Sequence, residues 1–363
     1  MLHIRRNQIG EWDHVRIVRM PLTPKTPASE AAPVSMDRWP VIQRLMFSSE
    51  FGLALLIALT FVIFAGVLPG FTSTFSLFTI GRQIGIDTMI GLAMMTVIVT
   101  GGLDLSVGAI GVCSAMAFGW LLERAGMPLV VAVPIAVLFG ASLGFVNGAT
   151  VVRSGVHSFI ITLAGMSIFF GMMIFLTKAE AFRELPLQVQ GFGKWRFAGV
   201  ISSLLVVSVA TCAALSILYR FSSLGRRMLA AGANPRAAEI SGVRTGRAII
   251  NCHMLTGGLA ALAGLMVTAR TGAAVPSMAG QLGQDWLLPA FLAPVLGGTL
   301  LSGGRVAVFG TLLGAALVNI ITSGLLLMRV GEFWIQAFLG FMLLTAVLAD
   351  RARHVFLLRR GMI

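Results

Sequence analysis

The sequence predicts an all-α membrane protein of about ten transmembrane helices with both termini on the cytoplasmic side. Three observations carry this. Hydrophobic residues make up 57% of the 363, and 42 more are glycine, well above the roughly 45–50% apolar share of soluble domains. Only 11% are charged and there is a single Tyr, too little polar surface to cover a particle in water. From Phe51 onward, apolar runs long enough to cross about 30 Å of hydrocarbon alternate with short polar breaks.

Residues 1–48 are polar, mixed in charge and interrupted by Pro21, Pro24, Pro27, Pro33 and Pro40. They read as a flexible cytoplasmic tail, too polar for a cleaved signal peptide. The transmembrane domain is expected over 49–350, with spans at 51–69, 86–100, 104–122, 128–150, 158–177, 199–219, 248–269, 286–301, 306–328 and 333–349. A basic cytoplasmic tail, 351–363, closes the chain. With the N-terminus inside, nineteen of the 27 Lys and Arg fall in inner segments, the excess that cytoplasmic loops carry. This accounts for the net charge of +13 without nucleic acid, whose partners gather basic residues on a polar folded domain. The apolar stretch 88–122 is either two spans with a tight turn at Gly101 and Gly102, or a broken helix with a re-entrant piece.

Gly140, Gly144 and Gly148, four residues apart, share one face of the fourth span and predict close approach of another helix. Gly310 and Gly314 repeat the spacing in the ninth. Gly101–Gly108 (GGLDLSVG) and Gly297–Gly304 (GGTLLSGG) share the pattern G-G-x-x-L-S-x-G, both at predicted inner turns. Duplication and coincidence in a glycine-rich chain both account for it.

Little here suggests catalysis. Cys113, Cys212 and Cys252 lie in apolar segments and form no C-x-x-C pair, so they read as packing residues. The five histidines show no ligand spacing, and neither a metal nor a cofactor is expected. No phosphate-binding G-x-x-x-x-G-K-[ST] loop is present, because Lys194 after Gly193 is followed by Trp195. Asp104 lies in a long apolar region, where an ionised carboxylate is costly unless solvated or paired. It either caps a helix starting at Leu105 or touches the transported solute. Asn147, Asn251, Asn319 and Gln336 are amides in apolar spans, able to meet hydroxyl-rich solutes and equally able to join helices. In the inner loop Phe221–Arg247, Asn234, Pro235 and Gly242 describe a short helix: Asn as N-cap, Pro at the first position, Gly past the end. Such a helix suits docking on a soluble partner.

The runs Thr100–Gly108 (TGGLDLSVG), Phe159–Leu163 (FIITL), Gly232–Val243 (GANPRAAEISGV) and Leu296–Arg305 (LGGTLLSGGR) resemble the signature segments of ribose-type ABC sugar permeases, over about residues 80–350. His157 and Ser158 stand where that family often has Gln-Pro, and the N-terminal tail is longer than usual. The resemblance implies a multi-pass permease of a bacterial inner membrane, embedded in lipid, paired with a second permease copy or paralogue, two cytoplasmic ATP-binding cassette subunits and a periplasmic solute-binding protein. Asn234, Pro235, Arg236, Ala237, Ala238, Glu239 and Gly242 match the family's cytoplasmic coupling region. The expected function is import of a sugar or similar polyol, driven by ATP hydrolysis in the partner subunits. An ion-coupled secondary transporter is the rival reading; it needs intramembrane ionisable residues, for which Asp104 alone is thin support.

Overall fold

The computed structural model describes residues 49–197 and 199–359. The predicted tail over 1–48 and residues 360–363 lie outside them. The described chain is a helical bundle: α1 (Ser49–Val67), α2 (Thr74–Ile98), α3 (Val107–Glu123), α4 (Leu129–Ser154), α5 (Ser158–Thr177), α6 (Leu187–Lys194), α7 (Ser203–Phe221), α8 (Ser223–Ala233), α9 (Pro235–Ile240), α10 (Thr245–Thr271), α11 (Leu287–Leu296), α12 (Val308–Leu327) and α13 (Glu332–Arg359). A two-residue antiparallel hairpin, β1 (Arg196–Phe197) and β2 (Ile201–Ser202), precedes α7. Among the described residues six helices, α1, α4, α5, α7, α10 and α12, are long and apolar enough to cross a membrane.

Several boundaries differ from the sequence expectation. The second span was expected from residue 86, yet α2 begins at Thr74, with Ser73 accepting the Ser76 N–H as its cap. Arg82 and Gln83 made that half read as a polar break, but Gln83 is held inside the bundle by Asp87 and Arg270. The third helix begins at Val107, not Leu105, and the stretch 99–106 is an irregular loop. The eighth span is a ten-residue helix, α11, preceded by the 3-10 segment Gln281–Trp286. The inner loop holds two helices, α8 and α9, where one was expected, and α13 runs through Asp350 to Arg359.

The core is built around α2 and α10. Every residue of α2 from Gly85 to Ile98 is buried. The two helices are antiparallel: the Thr256 hydroxyl donates to the Ala93 carbonyl at 2.8 Å, while Arg270 reaches Gln83 nearer the start of α2. Across another face of α10, α4 runs antiparallel on the expected glycine stripe. A Cβ on Gly140 would lie 2.6 Å from the Gly257 carbonyl oxygen, and one on Gly144 would collide with the His253 carbonyl. Gly148 meets the Ile250 Cα at 2.9 Å by the same construction. Overpacking of this kind typically costs about 1–3 kcal/mol, so the stripe is a backbone-to-backbone seam. Gly310 and Gly314 seat α12 against Gly297 and Ala293 in the same manner. The end of the bundle bearing α8 and α9 is the one the sequence expects on the cytoplasmic side, the inner end.

Candidate functional site

Two irregular loops and the last turn of α8, just ahead of α9, converge at the inner end. The loops are the two copies of G-G-x-x-L-S-x-G, and they touch. The Gly304 N–H donates to the Val99 carbonyl at 2.8 Å, and a Cβ on Gly101 would sit 3.3 Å from the Ser302 carbonyl oxygen. Gly303 and Gly304 both hold positive φ, 87° and 79°, which a side chain would strain. Onto this pair leans the C-terminal end of α8. A Cβ on Gly232 would collide with the Val99 carbonyl and approach the Gly304 nitrogen to 2.7 Å, while Gly304 faces Ala233. Any larger residue at Gly232 would part the three segments.

Immediately after Gly232 the chain forms α9 as its sequence dictates. Asn234 Oδ1 accepts the Ala237 N–H at 3.1 Å, Pro235 takes the first turn where no N–H is needed, and Gly242 follows at φ 81°. Arg236, Ala237, Glu239 and Ile240 are exposed, Ile240 at 89%. Ala238 is buried at 5%, facing the bundle and not outward as a docking residue must. Glu239 Oε1 accepts the Thr245 hydroxyl at 2.5 Å, tying α9 to the first residue of α10.

Asp104 sits in the first glycine loop, fully buried. Its Oδ1 accepts the Ser106 N–H at 2.9 Å and the Ser106 hydroxyl at 2.5 Å. That hydroxyl in turn accepts from Asn147 Nδ2 at 2.7 Å. Asp104 thus braces the turn two residues ahead of α3 instead of capping an N–H within its first turn. Two hydroxyls of α5 hold the same loop: Ser158 accepts the Leu103 N–H at 2.9 Å and Thr162 accepts the Leu105 N–H at 3.1 Å. Asp104 Oδ2 has no partner among the described residues. Ser158 and Thr162 were missed as site residues, although their four-residue spacing, with Thr162 inside the F-I-I-T-L run, puts both hydroxyls on one helical face.

A second polar chain crosses the core towards the outer end. Asp87 Oδ1 accepts from Gln83 Nε2 at 3.0 Å and Oδ2 from Asn319 Nδ2 at 2.8 Å, and Arg270 donates to Gln83 Oε1. This joins α2, α12 and α10. Asn319 is therefore one link in a helix-joining chain, and Asp87, expected near a span end, lies well inside α2. Asn251 stands apart, half-buried near the start of α10, and among the described residues its side chain makes no hydrogen bond.

Residues 76–347 match the family described as branched-chain amino acid transport system / permease component. Among curated proteins, the chain is 34% identical to the ribose import permease protein of Bacillus subtilis (strain 168), over 78% of this chain and 87% of that one. It is 32% identical to the fructose import permease protein of Rhizobium meliloti, over 85% and 88%, and 29% identical to the D-allose transport system permease protein of Escherichia coli (strain K12), over 90% and 97%. No solved structure matches the chain.

Proposed function

The chain belongs to the ribose-type sugar permeases within the branched-chain amino acid transport system / permease component family, and on that premise we propose that it forms the route by which an ATP-driven importer carries a sugar or similar polyol across a bacterial inner membrane. The chain is a permease subunit and not itself an enzyme. The family description names branched-chain amino acids, but the relatives cited carry ribose, fructose and allose in their names, which favours a polyol. The partners are two ATP-binding cassette subunits at the inner face, a solute-binding protein outside and a second permease. Residues 49–350 form the permease domain, flanked by cytoplasmic segments 1–48 and 351–363.

Ten crossings with both termini inside fit the alternating directions of the helices. Along α10, α2 and α4 run opposite and α3 runs the same way, while α12 opposes α2. The inner loop then falls on the basic side.

The observation that carries the coupling role is the contact of Gly232 with both glycine loops. Helix α9 docks on an ATP-binding subunit through Arg236, Ala237, Glu239 and Ile240, with Asn234, Pro235 and Gly242 fixing its ends. A displacement of α9 is passed by rigid backbone contact to Val99–Gly101 and Gly303–Gly304, and from there to the loop that holds Asp104. Nucleotide-driven change in the partner thereby biases the two loops between arrangements. Isolation of the chain from native membranes tests the class: an ATP-binding subunit and a sugar-binding protein co-purify with it. Purification alone, with sugar uptake abolished by a protonophore, would favour the ion-coupled rival.

A further inference from the structure

Between Gly272, the left-handed cap of α10, and Leu287, where α11 begins, the chain is not α-helical. Its depth is fixed by α3. Ala274 lies against Gly119 near one end of that helix, and Gly283 lies against Gly108 near the other. The stretch from Gly108 to Gly119 rises about 16 Å at 1.5 Å per residue, close to half of the roughly 30 Å of hydrocarbon. Helix α10 agrees, since Gly111, one turn beyond Gly108, packs on Gly264 and the Ala260 carbonyl just past the midpoint of α10. Residues 281–286 therefore lie near mid-depth.

Non-helical backbone at that depth is tolerated only where protein covers it or where it lines a water-filled cavity. One side is covered: Gly283 meets Gly108 and Ala109, and the Trp286 ring meets Gly111, both residues being buried. The other side carries Gln281, Gln284 and Asp285, all exposed, and among the described residues no hydrogen bond or ion pair reaches their side chains. Facing lipid, two carboxamides and a carboxylate would be left unsolvated. Leu282 holds φ 58° between them, a left-handed conformation that a leucine keeps only where its surroundings impose it.

We propose that Gln281, Gln284 and Asp285 form a solute-contacting site at mid-depth of the translocation route, taking a neutral polyhydroxylated solute. The chemistry fits: each carboxamide donates and accepts, so it can meet a hydroxyl in either sense, and the carboxylate accepts from two hydroxyls at once. The assignment rests on the reading of the chain as a sugar permease.

The assembled transporter, with its three native cysteines replaced, is placed in right-side-out vesicles. Gln281→Cys and Gln284→Cys are then titrated with a charged, membrane-impermeant methanethiosulfonate. Leu138→Cys is the reference, because Leu138 is exposed on α4 two residues from Gly140, which faces Gly257 and Ala261 at the same depth. Both glutamine positions react at least about tenfold faster than Leu138→Cys, as a water-lined wall requires. Whichever of ribose, fructose or allose the parent transporter takes up slows their reaction. Rates as slow as at Leu138→Cys overturn the site. Fast reaction that the transported sugar leaves unchanged overturns solute contact. Uptake of none of the three sugars by the parent counts against the sugar reading itself, a different outcome from transport without protection.

Discussion

At the residue scale, Asp104 separates what a sequence discloses from what it hides. A lone carboxylate in an apolar run is conspicuous, and its cost predicts partners inside the protein. Which partners could not be read, because Ser106 is two residues away, Asn147 is on α4, and the hydroxyls bracing the same loop are on α5. Asp87 hides its place for the converse reason: Arg82 and Gln83 look like a polar break that puts a span end beside it, and only the fold brings Asn319 to Asp87 and Arg270 to Gln83. The bracing geometry predicts how Asp104 responds to substitution. Asp104→Asn keeps an oxygen for the Ser106 N–H and retains most transport and thermal stability. Asp104→Leu strands that N–H and the Ser106 hydroxyl, at a cost of about 1–3 kcal/mol for a buried unsatisfied group, and lowers the melting temperature in detergent. Equal loss in both variants would point to the charge itself.

At the element scale, the glycine spacing was legible because periodicity alone places Gly140, Gly144 and Gly148 on one face. The partner helix was not, since nothing in the spacing singles out α10 over its neighbours. The seam predicts that Gly144→Leu, which drives a side chain into the His253 carbonyl, reduces assembly and stability by the cost of overpacking, about 1–3 kcal/mol or more where backbone cannot yield. Gly171→Leu on α5 is the matched control, having nothing within 4 Å of its added Cβ, and is expected to be tolerated. Equal behaviour in a thermal-shift assay would deny the seam. The twin G-G-x-x-L-S-x-G segments were legible as a pattern; their mutual contact depends on tertiary structure. Helix α9 was legible in its caps, because Asn234, Pro235 and Gly242 each act locally. Its facing was not: a six-residue helix has too few positions for periodicity to reveal that Ala238 turns inward.

At the scale of the whole molecule, composition and the placement of Lys and Arg sufficed for the class, since a bilayer imposes both. Span limits failed where helices are broken, at 99–106 and at 297–301, because hydropathy does not distinguish a helix from an apolar loop held by glycines. The proposed topology predicts that Ala237→Cys in a cysteine-free background reacts with impermeant thiol reagent only in inside-out vesicles. Leu187→Cys, 83% exposed at the start of α6, reacts only in right-side-out ones. Labelling of Ala237→Cys from outside would reverse the molecule and remove its coupling helix from the ATP-binding subunits.

Coupling through α9 is the claim on which the account turns, and a single substitution on its exposed face addresses it. Ala237 is exposed, lies outside the spans and serves the helix through its backbone alone, donating to Asn234 and accepting from Ser241, so a large side chain there leaves folding and membrane insertion intact. The decisive measurement is solute-stimulated ATP hydrolysis by the reconstituted complex carrying Ala237→Trp, alongside the amount of ATP-binding subunit that co-purifies. Both are expected to fall severalfold or more at normal permease levels, on the order of one lost interface contact at about 1.4 kcal/mol per factor of ten. An Ala237→Trp complex that assembles, hydrolyses ATP and transports like the parent would mean that α9 is only a connector, and would contradict the coupling route through Gly232.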